Sequence, residues 1–136
     1  MLLDDIASYI LANTTGFTLG TNLFKSRTPE TAADTSVTLF EAPGLAPEWS
    51  FGSTTPTRER PRLQVLSRST SYQTARNNAE TIHKALDRQI VNSTSVSSTG
   101  PRYILVRAVQ QPFPIDFDSN VRHTISCNYD IEKERS

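Results

Sequence analysis

The chain has 136 residues, fourteen basic side chains balanced by fourteen acidic ones, and 36% hydrophobic residues. That is one domain, long enough to bury roughly two thirds of the surface its unfolded chain exposes. Zero net charge gives no bulk attraction to nucleic acid or anionic membranes, no apolar run approaches a bilayer span, and the start "MLLDDIASYI" lacks a basic region and a cleavage site.

A single cysteine, Cys127, excludes an internal disulfide framework and a zinc pattern. The expected class is a soluble intracellular domain. The basic set is eleven Arg against three Lys, a bias toward planar multi-donor contacts, which suit interfaces and phosphates.

In chain order, Leu2, Leu3, Ile6, Tyr9, Ile10 and Asn13 fall at helical spacing. Asp4 and Asp5 occupy the first turn, where carboxylates favour the positive helix end. "NTTG" (13–16) ends this first helix. Two short strands are expected next, at 21–26 and 36–42, separated by the polar "RTPETAADT". The stretch 42–61, "APGLAPEWSFGSTTPTRERP", carries four prolines and is expected as an extended loop or arm. Trp49 and Phe51 in it either fold back on the core or dock on a neighbouring subunit.

A third strand is expected at 61–68. The helix after it has Tyr72, Ala75, Ala79, Ile82, Leu86 and Ile90 at steps of three and four, one apolar stripe for a sheet to cover. Ser71 is its N-cap candidate, with Ser69 and Thr70 as competitors. Polar residues 92–100 are expected as a link. "RYILVRAVQ" (102–110) is apolar on both faces, as for a central strand. A Pro-containing connection, 111–120, leads to the last strand, 121–131. There Val121, His123, Ile125, Cys127, Tyr129 and Ile131 alternate with polar residues. The order predicts a single α+β domain over 1–136. Its mixed, mostly antiparallel sheet has four to five strands, two helices pack on it, and a long Pro-rich loop joins strands 2 and 3.

The chemistry-bearing residues do not converge. His83 lies off the stripe and is expected in solvent, and His123 reads as a core histidine rather than a base. Asp116 and Asp118 lack a third oxygen ligand. Cys127 has no adjacent cation in sequence to lower its pKa. The hydroxyl-rich "LSRSTSY" has no glycine to open a phosphate nest, so its serines read as caps. Tyr103 and Arg107 share a face of an ideal strand, but that strand is too apolar for a base-stacking platform. Arg58, Arg60 and Arg62 form an electrostatic patch, read as an intersubunit salt-bridge site ahead of a DNA site. No catalytic, cofactor or metal site is expected.

Three segments in this order, "VTLFEAPGLAPEW", "PRLQVLSRSTSYQTARNNAETIHKAL" and "DFDSNVRHTISCNYDI", resemble the motifs of the minor capsid or tail terminator family of tailed bacteriophages. The likeness is carried by Phe40-Glu41 before Pro43-Gly44, by Gln64, Val65 and Arg68, and by Tyr72, Ala75, Ala79, Ile82 and Leu86. Asp118, Arg122, Ser126, Asn128 and Tyr129 complete it. Leu45 departs from the pattern, where relatives carry a second Gly or a Pro, which puts the loop conformation in question.

The resemblance implies a virion protein assembled in the host cytoplasm. It would form a ring, typically a hexamer, at the head-proximal end of the tail tube. Its implied partners are the tail tube protein and the head-completion or stopper protein of the neck, with DNA passing through without sequence-specific binding. Alternatives at this stage are another neck protein (stopper or adaptor) and a small hydrolase. Subunit or tube contacts are expected at Trp49, Phe51, Arg58, Arg60 and Arg62.

Overall fold

Helix α1 runs Leu2–Asn13 and turns Leu2, Leu3, Ile6, Ala7 and Ile10 inward; Thr14 closes its end by donating backbone N–H and Oγ1 to Ile10 O. The computed structural model describes residues 2–28, 34–49, 56–93, 96, 102–115 and 122–134. Strand β1 (Leu23–Lys25) follows and pairs in parallel with β2 (Ser36–Trp49). Strand β3 (Pro56–Ser69) pairs antiparallel with β2. Helix α2 (Tyr72–Leu86) then leads to β4 (Val91–Ser93), β5 (Tyr103–Ala108), β6 (Phe113–Ile115) and β7 (His123–Glu134). The sheet order is β1-β2-β3-β7-β5-β4, with β6 added on β7 beyond the end of β5.

The fold is α+β with a mixed, mostly antiparallel sheet and two helices, as expected. Two three-residue strands were not: β4 begins where a link was expected, and β6 lies in the expected connection 111–120. Three residues are too few to show a period, and Pro114 marks β6 as a sheet-edge segment.

The 42–61 stretch also differs from a plain loop, because its backbone continues the β2–β3 ladder outward through Ala42–Arg62, Leu45–Arg60 and Glu48–Arg58 to Trp49–Pro56. Three register irregularities interrupt that extension. Because β1 covers β2 only at Val37–Leu39, the outer part of β2 is a sheet edge, where prolines and bulges are tolerated. Phe51, Asp116, Asp118 and Val121 lie outside the described residues.

Ser71 is the N-cap of α2, accepting from Thr74 N–H. The neighbouring hydroxyls have separate tasks. Ser69 Oγ takes the Ser71 N–H at 3.2 Å and lies 2.9 Å from Thr35 Oγ1, while Ser67 Oγ donates to Ala75 O at 2.8 Å. α2 ends one turn earlier than the expected stripe, at Leu86, and Arg88 takes a left-handed φ of 60°. Beyond this turn Ile90 is still buried, as part of the core.

Both helices pack on one face of the sheet. α1 lies against β1 and β2, α2 against β3, β7 and β5, and Tyr9 Oη joins them by donating to Ala85 O at 3.1 Å. Between helices and sheet lies one core containing Ile6, Ile10, Leu39, Leu63, Val65, Ile82, Leu86, Tyr103, Val106, Tyr129 and Ile131.

On β7, Ile125, Cys127, Tyr129, Ile131 and Lys133 face inward, and of the residues between them Ser126 is also buried, on the other face. An irregularity between Tyr103 and Leu105 shifts the phase of β5. Tyr103 and Val106 are therefore inside while Arg107 is exposed. Tyr103 and Arg107 lie on opposite faces, against the ideal-strand expectation.

Candidate functional site

The helix-free face of the sheet carries the charged residues singled out in the sequence. In β3, Arg58, Arg60, Arg62, Gln64, Leu66 and Arg68 alternate with the inward Leu63, Val65 and Ser67. The register sets Arg58 opposite Glu134, Arg62 opposite Asp130, Gln64 opposite Asn128 and Arg68 opposite Thr124. Residues directly opposite on one face are close enough to interact, and the arginines do pair. Arg62 Nε donates to Asp130 Oδ1 at 2.9 Å, and Arg58 Nη1 to Glu132 Oε1 at 3.1 Å. Arg60 Nη2 lies 3.9 Å from the same Glu132 oxygen, and Arg102 Nη2 is 2.9 Å from Glu134.

The three arginines thus sit at the base of the arm, cross-linked to β7 within the subunit. A cleft of about 270 Å³ opens beside them, lined by Arg60, Pro61, Leu105, Arg107, Asp130, Ile131 and Glu132. On the inner face at the same level, Lys133 is buried and its Nζ lies 3.1 Å from Glu59 Oε2.

Other expected residues also gather around the sheet. Gln64 Nε2 is 3.4 Å from Ser126 Oγ. Arg68 Nε donates to Asp34 O at 3.3 Å, and Arg122 Nη1 lies 3.5 Å from Asp34 Oδ1. Asp34, not foreseen, therefore links both arginines. Ala75 and Ala79 are buried with Ile125, which lets α2 approach β7 closely. Tyr72 is exposed at the start of α2, its ring edge-on to His123. Trp49 closes β2 with its backbone opposite Pro56.

The expectation for His83 is corrected. Its side chain is only 12% exposed, with Nδ1 3.9 Å from Cys127 Sγ and Nε2 3.9 Å from Asp87 Oδ2. It flanks the stripe closely enough for β7 to cover it. A thiol, an imidazole and a carboxylate in sequence would suit nucleophilic chemistry. The thiol–imidazole contact, however, is at the long limit for a sulfur hydrogen bond, and the thiol already donates to Gln110 O at 3.3 Å. The imidazole–carboxylate separation exceeds hydrogen-bond reach, and Cys127 is only 2% exposed. Burial pushes the Cys127 thiol above its ordinary range, away from thiolate. Asp87 Oδ1 is engaged by Ala108 N–H at 2.8 Å. The cluster is packing.

Among the described residues, no group of three His, Cys, Asp or Glu side chains could hold a metal ion, and no helix is long and apolar enough to cross a membrane.

The geometry defines a small α+β subunit with a projecting two-stranded arm and a charge-laddered open sheet face, a shape suited to assembly. Residues 10–135 match the family described as Bacteriophage tail terminator protein, and the chain belongs to that family. It is a structural protein of the phage virion, of the tail or neck, and not an enzyme. The fold is similar to that of a chain in a structure titled "Virion of native gene transfer agent (GTA) particle". The identity is 17% and the TM-score 0.56, covering 96% of this chain and 84% of that one. No curated protein matched the sequence.

Proposed function

We propose that this protein forms a ring, a hexamer, at the head-proximal end of the tail tube. There it ends tube polymerisation and presents the surface that joins the head-completion or stopper protein of the neck. DNA passes through the channel without sequence-specific contacts. The match to the terminator family over residues 10–135 carries this reading. Electron microscopy of particles assembled without the protein tests it. Overlong tails are expected; normal tails on DNA-leaking heads would make it a stopper instead.

A closed ring of identical chains needs a head-to-tail interface whose rotation closes on itself. We assign the arm to that interface or to the contact with the tube protein, with Trp49 and Phe51 as its aromatic anchors. Trp49→Ala with Phe51→Ala should abolish ring formation and tail joining, and unchanged assembly would remove the arm from the mechanism. Arg58, Arg60 and Arg62, at the arm base, lie at the interface or channel wall in this proposal. Their β7 partners leave the patch near neutrality, so reversal of Arg60 to Glu should alter assembly in a salt-dependent manner. Assembly that is indifferent to salt would exclude the patch.

A further inference from the structure

Three of the exposed large hydrophobic residues form one line. Phe113 lies opposite Ser126 and Ile115 opposite Thr124; Val109 N–H donates to Asn128 O, which places it opposite Asn128. Ser126, Thr124 and Asn128 alternate with the inward Ile125 and Cys127, so their three partners point to the helix-free face. The exposures are 46% for Val109, 40% for Phe113 and 44% for Ile115. Two residues per step make the stripe roughly 13 Å long at about 3.3 Å per residue. It is held firmly, by the β6–β7 ladder and by Arg76 Nη1, which donates to Pro112 O at 2.8 Å. A fixed apolar stripe kept out of the core marks a docking surface.

Its place relative to the arm identifies the occupant. Phe113, Ser126 and Leu66 lie in one row across the sheet. From Leu66 back to Pro56, where the described part of the arm ends, β3 extends ten residues, roughly 33 Å at strand rise. The described part of the arm, up to the Trp49–Pro56 pair, therefore lies at the end of β3 remote from the stripe. The Trp49 backbone, paired with Pro56, and the stripe thus lie toward opposite ends of the sheet, as the two halves of a head-to-tail contact would. The mode of docking also follows. Pro114 has no N–H to offer an added strand, so the occupant packs on side chains and does not extend the sheet.

We propose that Val109, Phe113 and Ile115 receive the Trp49–Phe51 segment of the adjacent copy. This rests on the ring reading above and names the receiving surface. The test uses the full chain with its enclosed Cys127 left in place. Phe51→Cys and Phe113→Cys are combined, and the protein is mildly oxidised, both free and on tails assembled without it. Disulfide-linked multimers rising to a closed ring are expected, where each single variant yields dimers at most.

Rings seen by light scattering or on the tails, but with no cross-links beyond those dimers, would overturn the docking and leave the ring standing. Cross-links from the Phe113→Cys position to tube protein would overturn the choice of a second copy. Absence of any assembly by the native chain, free or on tails, would remove the ring reading itself. Phe113→Ser with Ile115→Ser should melt like the native chain and lose ring formation. Mixed with the Trp49→Ala/Phe51→Ala variant, it should give a one-to-one pair and nothing larger, because only one intact contact is available. Ring formation by the serine variant alone would also refute the docking.

Discussion

The buried ion pair beneath the arm gives the most discriminating stability test. Lys133 has a side chain 8% exposed, with Nζ 3.1 Å from Glu59 Oε2 and 5.9 Å above the Tyr103 ring. At an effective dielectric near 20, the 3.1 Å Lys133–Glu59 separation gives an attraction of about 5 kcal/mol. Several kcal/mol of ammonium desolvation offset most of it. The two partners are not equivalent, because Glu59 keeps 29% exposure.

Glu59→Ala leaves a buried ammonium with little more than the aromatic ring, and should cost about 2–3 kcal/mol. Lys133→Met keeps the apolar stem and removes the charge, so it should fall within about 1 kcal/mol of the native chain. Adding Lys133→Met to Glu59→Ala should recover part of the loss. Urea unfolding followed by far-ultraviolet circular dichroism measures all three. If Lys133→Met costs as much as Glu59→Ala, the pair is a net source of stability and the reasoning from desolvation is wrong.

Three further outcomes are expected. Ile82→Ala, at a fully buried position of α2, should lower stability by about 2–4 kcal/mol in urea, and a loss below about 1 kcal/mol would mean that α2 is not the core helix. The Tyr129 hydroxyl is buried without a hydrogen-bond partner among the described residues; Tyr129→Phe should therefore stabilise the fold by about 1 kcal/mol, read as a higher urea midpoint.

Burial raises the Tyr103 and Tyr129 pKa values above their ordinary 10.0, and for Tyr103 the hydrogen bond to Asp5 adds to this. The native state thus keeps protons that the unfolded chain releases. Stability should hold below about pH 10 and fall above it by up to about 1.4 kcal/mol per pH unit per tyrosine. Urea midpoints against pH would show this, with a shallower fall in Tyr103→Phe.

Periodicity made much of the architecture legible. The Ala75-Ala79-Ile82-Leu86 stripe defines α2 because a helix against a sheet must be apolar every three or four residues, and Ser71 caps it because its oxygen can take an orphan N–H. The unbroken alternation of Ile125 to Ile131 likewise defines β7. What was missed lies where local signals are weak or non-local. β4 and β6 are too short to carry a period.

The partners of Arg58 and Arg62 were written in β7 as Asp130, Glu132 and Glu134, an alternating acidic string complementary to the arginine string. Ending that strand at Ile131 hid the match, since opposite charges recognise each other only once register is known. The phase shift in β5 that separates Tyr103 from Arg107 has no local cue, and neither does the covering of His83 by β7. The docking stripe draws Val109 from one segment and Phe113 and Ile115 from another, so only the sheet assembles it.

The arm is the outward continuation of β3, the strand held between β2 and β7. A pull on its tip therefore runs along β3, parallel to the strand and across hydrogen bonds that lie perpendicular to it. Such a load is shared by both flanking ladders at once, where a pull across the strand would open them one bond after another. The subunit is mechanically stiffest along the direction in which its arm reaches.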